Sequence, residues 1–380
     1  MAIKTLIVVG TRPEAIKMAP VAIGLAADSK FDSRICVTAQ HREMLDQVLR
    51  LFELKPDHDL DLMKSNQDLY DITCGALLGI RKVLSDVRPD IVLVHGDTTT
   101  CFAASLAAFY EGVMVAHVEA GLRTGNMRAP YPEEANRSLV GRLATLHFAP
   151  TERARRSLLN ENVPESQVLV TGNTVIDALL LARAKIDEFS PDHWSEHFGS
   201  AITSKILGAN RRILITGHRR ENFGRGFEDL CSAIADLAQR HPDWVSVYPV
   251  HLNPNVQEPV NRILSRLPNV ILTRPQDYLP FIWLMSQADL VLTDSGGIQE
   301  EAPSLGKPVL VMREVTERPE AVEAGTVKLV GTSRNAILEN VESILTDPAL
   351  YDHMALATNP YGDGLATRRI LSRLKEFPSA

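Results

Sequence analysis

A chain of 380 residues exceeds what one ordinary core accommodates, and at roughly 150 residues per domain it predicts two domains. Hydrophobic residues make up 45% and charged residues 23%, a balance that excludes a disordered or fibrous chain. The formal charge of -7, from 47 acidic against 40 basic side chains, offers no global field for nucleic acid or an anionic membrane, so an anionic ligand has to be held by a local cluster. Cys36, Cys74, Cys101 and Cys231 are scattered without a CxxC pair, which argues against a zinc site and for a reducing compartment; all four are expected as small core residues. The first residues carry no basic-then-apolar signal with a cleavage site, and no apolar run nears the roughly 20 residues of a spanning helix. The expected address is the cytoplasm, with no membrane partner.

Short runs rich in Val, Ile and Leu alternate with longer amphipathic stretches, the pattern of a parallel sheet covered on both faces. Ligands of such sheets bind beyond the carboxyl ends of the strands, so the polar residues after each run are the informative ones. The first strand, Thr5–Val9, ends in Gly10-Thr11-Arg12-Pro13-Glu14, with a helix over Ala15–Ala26 and Lys17 one turn inside it. A glycine turn feeding a helix start offers N–H groups to an anion, and Arg12 and Lys17 add positive charge; an ordinary βα turn with exposed basic residues is the alternative. Strands over Ile35–Thr38, Ile91–Val94 and Val113–Val118 follow. Past the last two stand Asp97, in His95-Gly96-Asp97, and Glu119, in Val118-Glu119-Ala120-Gly121. Asp97 precedes three threonines and reads equally as a helix cap. Glu119 is followed by glycine, which suggests a turn at the rim rather than a helix face. Glu133, beside Pro132, falls in a predicted first helical turn, where the dipole favours an acid. Strands over Leu146–Ala149 and Val168–Val170 complete the first half, and Gly172 to Asn210 reads as a helical, charged linker.

The second half repeats the scheme with strands over Arg212–Thr216, Val245–Val250, Val270–Leu272, Leu290–Thr293, Val309–Met312 and Val327–Val330. After the first comes Gly217-His218-Arg219-Arg220-Glu221-Asn222, where a histidine among arginines suits a departing phosphate. After the third lie Gln276 and Phe281, an amide and an aromatic for a base, although Phe281 alone reads as core. After the fourth comes Asp294-Ser295-Gly296-Gly297-Ile298-Gln299-Glu300-Glu301. Its glycines let the backbone approach a pyrophosphate, Ser295 offers a hydroxyl, and Glu301 is spaced to accept ribose hydroxyls. Glu317-Arg318-Pro319-Glu320 echoes Thr11-Arg12-Pro13-Glu14. No HExxH, Cys–His pair or GxSxG elbow is present, which argues against metal hydrolysis and acyl transfer.

Together these segments closely resemble the non-hydrolysing UDP-N-acetylglucosamine 2-epimerases of bacteria, nearly end to end, from Gly10-Thr11-Arg12-Pro13-Glu14-Ala15 to Asn359-Pro360-Tyr361-Gly362-Asp363-Gly364. The motifs His95-Gly96-Asp97-Thr98, His117-Val118-Glu119-Ala120-Gly121-Leu122-Arg123, Gly217–Asn222 and Asp294–Glu301 carry the likeness. The resemblance implies an α/β fold of two Rossmann-like doubly wound domains facing a cleft, glycosyltransferase-B-like. Residues 1–172 form a domain with the catalytic carboxylates, 173–363 one that binds UDP, and helix 364–380 packs back onto the first. It implies a homodimer, interconversion of UDP-GlcNAc and UDP-ManNAc, and neither cofactor nor metal. By that match Asp97, Glu119, Glu133 and His218 are catalytic. Arg12, Lys17, Gln276, Phe281, Ser295, Gly296, Gly297, Glu301 and Arg318 bind substrate, along with Asp97, Glu119 and His218. The segment Gln40-His41-Arg42-Glu43-Met44 resembles a loop through which substrate activates bacterial members, with Gln40 and His41 as its contacts.

Carbon 2 of the sugar bears an inert C–H with no adjacent carbonyl. The mechanism implied is therefore departure of UDP from carbon 1 first, or nearly so, leaving an oxocarbenium-like centre from which a carboxylate removes the C2 proton to give 2-acetamidoglucal. A glycosyltransferase of the same architecture is the chief rival. A hydrolysing epimerase and a non-catalytic nucleotide-sugar sensor follow.

Overall fold

The computed structural model describes residues 2–39, 42–64 and 66–376. The chain divides into two compact units, Met1–Leu180 with Tyr361–Ala380, and Leu181–Pro360. The first unit holds β1 (Ile3–Val9), β2 (Phe31–Val37), β3 (His58–Asp59), β4 (Ile91–His95), β5 (Met114–Val118), β6 (Leu146–Ala149) and β7 (Val168–Val170). They form one sheet in the order β3-β2-β1-β4-β5-β6-β7, every pairing parallel. The second unit holds β8 (Arg211–Thr216), β9 (Trp244–Pro249), β10 (Val270–Thr273), β11 (Leu290–Thr293), β12 (Val309–Val311) and β13 (Val327–Leu329), all parallel in the order β10-β9-β8-β11-β12-β13. All twelve strands expected from the sequence are present. The addition is β3, two residues at the sheet edge, too short and too polar to make an apolar run.

The cores follow from that pattern. In β1 all residues but Lys4 are buried, because helices cover both faces of a parallel sheet. Leu6, Val8, Val92 and Val94 pack with Ala103, Ala104, Ala107 and Ala108 of the helix Thr99–Tyr110, whose small side chains let it lie close to the strands. In the second unit Ile213, Ile215, Leu290 and Leu292 meet Phe227, Leu230, Ile234 and Leu237 of the helix Arg225–Arg240. Burial of Phe227 alone is worth roughly 3 kcal/mol.

Strand order reverses between β1 and β4 in one sheet and between β8 and β11 in the other. Ligands of doubly wound sheets bind at such switch points, past the carboxyl ends. Topology therefore selects the loops after Val9, His95, Thr216 and Thr293, four of the segments that the sequence reading had singled out.

One expectation is corrected. Cys36, Cys101 and Cys231 are buried, but Cys74 is exposed. The helix Leu69–Val87 turns Ala76, Ile80, Val83 and Leu84 inward, which leaves Cys74 on the opposite stripe with the exposed Leu78 and Arg81.

The chain returns to the first unit at Tyr361. Its last helix, Ala366–Leu374, lies on the helix Arg12–Ala27, where Leu371 and Thr367 pack over Gly24 and Lys375 pairs with Asp28 at 2.5 Å. Asp177 accepts the backbone N–H groups of Ala366 (3.2 Å) and Thr367 (2.8 Å) and so caps that helix. Among the described residues no helix is long and apolar enough to cross a membrane.

Candidate active site

The loop after β1 is built by Glu14. Its Oε2 accepts the N–H groups of Gly10 (2.9 Å) and Thr11 (2.7 Å), and its Oε1 accepts the Thr98 hydroxyl at 2.6 Å. A carboxylate thus already fills the helix start that the sequence offered to an anion, and it ties this loop to the one after β4. Burial pushes Glu14 up from its ordinary 4.5 to about 7, against these hydrogen bonds. Gly10 is required by packing: a Cβ there would lie 2.2 Å from the Thr100 hydroxyl and 2.6 Å from that of Thr38. Arg12 opens the helix and is half-buried.

Glu119 follows β5 in a left-handed conformation, φ 62°, with 9% of its surface exposed. Backbone strain of this kind at a non-glycine residue costs on the order of 1 kcal/mol or more and clusters at functional sites. The Oε2 atom receives Lys17 Nζ in an ion pair and Asn173 Nδ2 at 2.7 Å, and His95 Nε2 stands 3.8 Å away. Lys17, read from sequence as a phosphate contact, is thereby tied to the carboxylate. Burial pushes His95 down to about 4, and its Nε2 makes no hydrogen bond.

Asp97 does not cap the following helix. Thr98 does, accepting the Cys101 N–H at 3.0 Å. Asp97 instead receives Arg137, from Nε at 2.9 Å and from Nη2, while Asn136 Nδ2 holds its carbonyl at 2.8 Å. Glu133 is the first residue of the helix Glu133–Leu143, half-buried, and its Oε2 is buried without a hydrogen-bond partner. The neighbouring Glu134 is structural: it accepts the N–H groups of Thr124 (2.9 Å) and Gly125 (3.0 Å) and pairs with Arg137. The first unit therefore brings Lys17, Asp97 and Glu119 to the ends of β4 and β5, each in a defined network.

In the second unit, Asp294 is wholly buried. Its Oδ2 accepts the N–H groups of His218 and Arg219, both at 2.8 Å, and its Oδ1 lies 3.3 Å from His218 Nδ1. Ser295 stands at the cap position of the helix Gly296–Glu301 without a side-chain capping bond. A Cβ on Gly297 would meet nothing within 4 Å, and one on Gly296 only Arg219 Nη2 at 4.0 Å; neither glycine is left-handed. These two glycines are thus unexplained by packing or backbone, unlike Gly10, and the space over them suits a ligand. Glu301 is buried and accepts the Tyr278 hydroxyl at 2.9 Å. Arg318 pairs with Glu300, which carries the Glu317–Glu320 loop onto the glycine helix. Gln276 is half-buried, bonded to the Arg274 carbonyl (2.7 Å) and His197 (3.0 Å). Phe281 lies half-buried on the helix Tyr278–Gln287, whose core positions go to Ile282, Trp283, Leu284 and Met285. Gln40 and His41 lie outside the described residues.

Sequence reasoning passed over Arg137, Asn173 and Asp294, which position Asp97, Glu119 and His218. Asp294 alone had a local signal, standing first in the serine-glycine-glycine segment.

The sequence matches the family model described as UDP-N-acetylglucosamine 2-epimerase over residues 24–375. A UDP-N-acetylglucosamine 2-epimerase of Yersinia pestis is 60% identical over 375 residues, 98% of each chain. The crystal structure of UDP-GlcNAc 2-epimerase from Neisseria meningitidis bound to UDP-GlcNAc matches with a TM-score of 0.89 at 52% identity, covering 99% of this chain and 100% of that one. The glycotransferase of kitacinnamycin, 14% identical with a TM-score of 0.65 over 99% of each chain, shares the fold alone. Matched along almost its whole length by the family model and by relatives of nearly equal size, this chain belongs to the UDP-N-acetylglucosamine 2-epimerase family.

Proposed function

We propose that this chain is an isomerase that reversibly interconverts UDP-N-acetylglucosamine and UDP-N-acetylmannosamine without hydrolysis. The observation that carries the reading is Glu119, a buried carboxylate held in strained backbone just past β5, beside the switch-point strand β4, and matched by Lys17 and Asn173. A merely structural acid needs neither the strain nor that setting. Relatives at 60% identity bear the epimerase name, whereas the glycosyltransferase likeness is one of fold only, which favours epimerisation over glycosyl transfer.

The C1–O bond breaks first, its electron pair leaving with UDP. The oxocarbenium-like sugar so formed acidifies the C2–H, and a carboxylate takes the proton, giving 2-acetamidoglucal. Proton return from the opposite face and attack of UDP oxygen on C1 complete the inversion. Asp97, Glu119 and Glu133 share the proton transfers and stabilise the cationic sugar. Arg12, Arg318, His218 and the Ser295–Gly297 backbone stabilise the departing diphosphate, a preorganised electrostatic role. Glu301 accepts ribose hydroxyls, and Gln276 and Phe281 meet the base.

Incubating UDP-GlcNAc alone with the enzyme in heavy water tests the proposal. Deuterium should enter C2 as the mannosamine epimer accumulates. Epimerisation with full retention of the original hydrogen would refute the elimination route, and free ManNAc would signal hydrolysis.

The same reading carries a homodimer and a cytoplasmic address. Tyr70, Leu78, Phe109 and Tyr110, all more than half exposed, lie on the packed helices Leu69–Val87 and Thr99–Tyr110, and exposed apolar side chains of this kind suit a second copy. Leu78→Arg should shift sedimentation towards the monomer. All four cysteines are free, as a reducing compartment keeps them.

A further inference from the structure

The loop after β11 places a wholly buried carboxylate against the imidazole of the loop after β8. Asp294 Oδ2 is satisfied by the His218 and Arg219 N–H groups, with Asn222 Nδ2 at 3.4 Å. Its Oδ1 has no solvent and no hydrogen-bond donor, and His218 Nδ1 stands 3.3 Å from it. A buried carboxylate oxygen without a donor is costly, so a proton on Nδ1 is favoured. The backbone bonds on Oδ2 fix the carboxylate, and the His218 main chain is one of their donors. Ring and acid are therefore held in register by the same loop. The imidazole also stacks on His251, with centroids 5.5 Å apart, and Arg219 adjoins it. Partial desolvation opposes a positive charge on His218, although the ring's outer side is exposed, and both of those neighbours oppose it too, so its pKa lies below the ordinary value; Asp294 is the one group acting the other way.

We infer that Asp294 is the positioning residue for His218: it fixes the proton on Nδ1, turns Nε2 towards the ligand, and sustains the imidazolium when diphosphate charge develops there. With Nδ1 protonated in the neutral ring, Nε2 becomes a donor only in the cation. His218 then serves UDP departure as an imidazolium, and the buried acid stabilises that form as a carboxylate does in a histidine dyad. The inference rests on the proposed role of His218 at the diphosphate, whereas the tautomer does not.

The test is ¹⁵N NMR of histidine-labelled enzyme with and without UDP, with His218→Gln assigning the resonances, alongside kinetics of Asp294→Asn. His218 should be an Nδ1–H tautomer in the free enzyme and become more protonated on adding UDP. Asp294→Asn keeps an oxygen for the two backbone N–H groups but removes the charge. It should lower kcat about 10²-fold with KM changed less than about threefold, and move the alkaline limb of the kcat profile to lower pH. An Nε2–H tautomer in the unmodified enzyme, or an unmoved limb in a folded Asp294→Asn, would overturn the inference. If Asp294→Asn does not fold, the tautomer decides alone. If the enzyme does not epimerise UDP-GlcNAc while His218 shows the expected tautomer, the functional reading fails and the dyad stands.

Discussion

Acidification should loosen the first unit through three histidines beneath the carboxylate cluster. His95, His117 and His147 are at most 3% exposed, and burial pushes them from 6.5 down to about 4, 3 and 4. His117 Nε2 donates to the Gly96 carbonyl at 2.7 Å, so a proton on its Nδ1, which has no partner, would be stranded. A histidine pKa depressed by folding contributes stability above its unfolded value that is lost as pH falls towards the folded one. Between pH 7.5 and 5 each removes on the order of 2 kcal/mol, about 6 in all. Glu14 acts oppositely, because its folded pKa is raised to about 7. Its contribution grows as pH falls and returns about 2 kcal/mol, which leaves a net loss of about 4 kcal/mol. All three tryptophans, Trp194, Trp244 and Trp283, belong to the second unit, so fluorescence does not report this loss. Hydrogen exchange of β4, β5 and β6 amides, corrected for intrinsic rates, should show protection falling by about three orders of magnitude. His147→Gln should flatten that pH dependence by roughly half. Equal protection at the two pH values would refute the assignment of these rings as buried and neutral.

Other expectations are more direct. Glu119→Gln should lower kcat at least about 10²-fold in a coupled UDP-ManNAc assay, with near-normal turnover removing this residue from the chemistry. Arg137→Lys gives up the paired hold on Asp97 and should cost about tenfold in kcat without changing UDP affinity by calorimetry. Gly121→Ala forces a Cβ to 2.2 Å from the Ala154 carbonyl at φ 88°, and should destabilise by more than about 3 kcal/mol in urea titration. Gly297→Ala meets no neighbour, so the melting temperature should hold while UDP binding weakens about tenfold or more.

Much of the fold was legible because buried parallel strands write themselves as continuous apolar runs, and the site because its residues follow those runs directly. Glu119 and Asp97 were singled out from position alone. What governs them was not. Asn173 and Arg137 reach their partners across 54 and 40 positions, separations at which a single chain carries no periodic signal. Glu14 looked like one acid of a basic turn, and only the folded loop shows it occupying that turn's own N–H groups. Cys74 was misread because its residue type suggests burial, while the helical phase of Ala76, Ile80 and Val83 turns it outward.

The return of the chain at Tyr361 has a topological consequence. Asn173 N–H donates to the Tyr361 carbonyl at 2.7 Å, and the backbones of Gly172 and Gly362 lie so close that a Cβ on either would press on the other. The outgoing and incoming segments are thus clasped side by side, and Leu181–Pro360 is inserted like a guest into one loop of its host. A host with adjacent loop ends should survive excision of the guest behind a short bridging peptide, and the guest should be expressible on its own. On the proposed site assignment, the purified guest should bind UDP in the absence of its host.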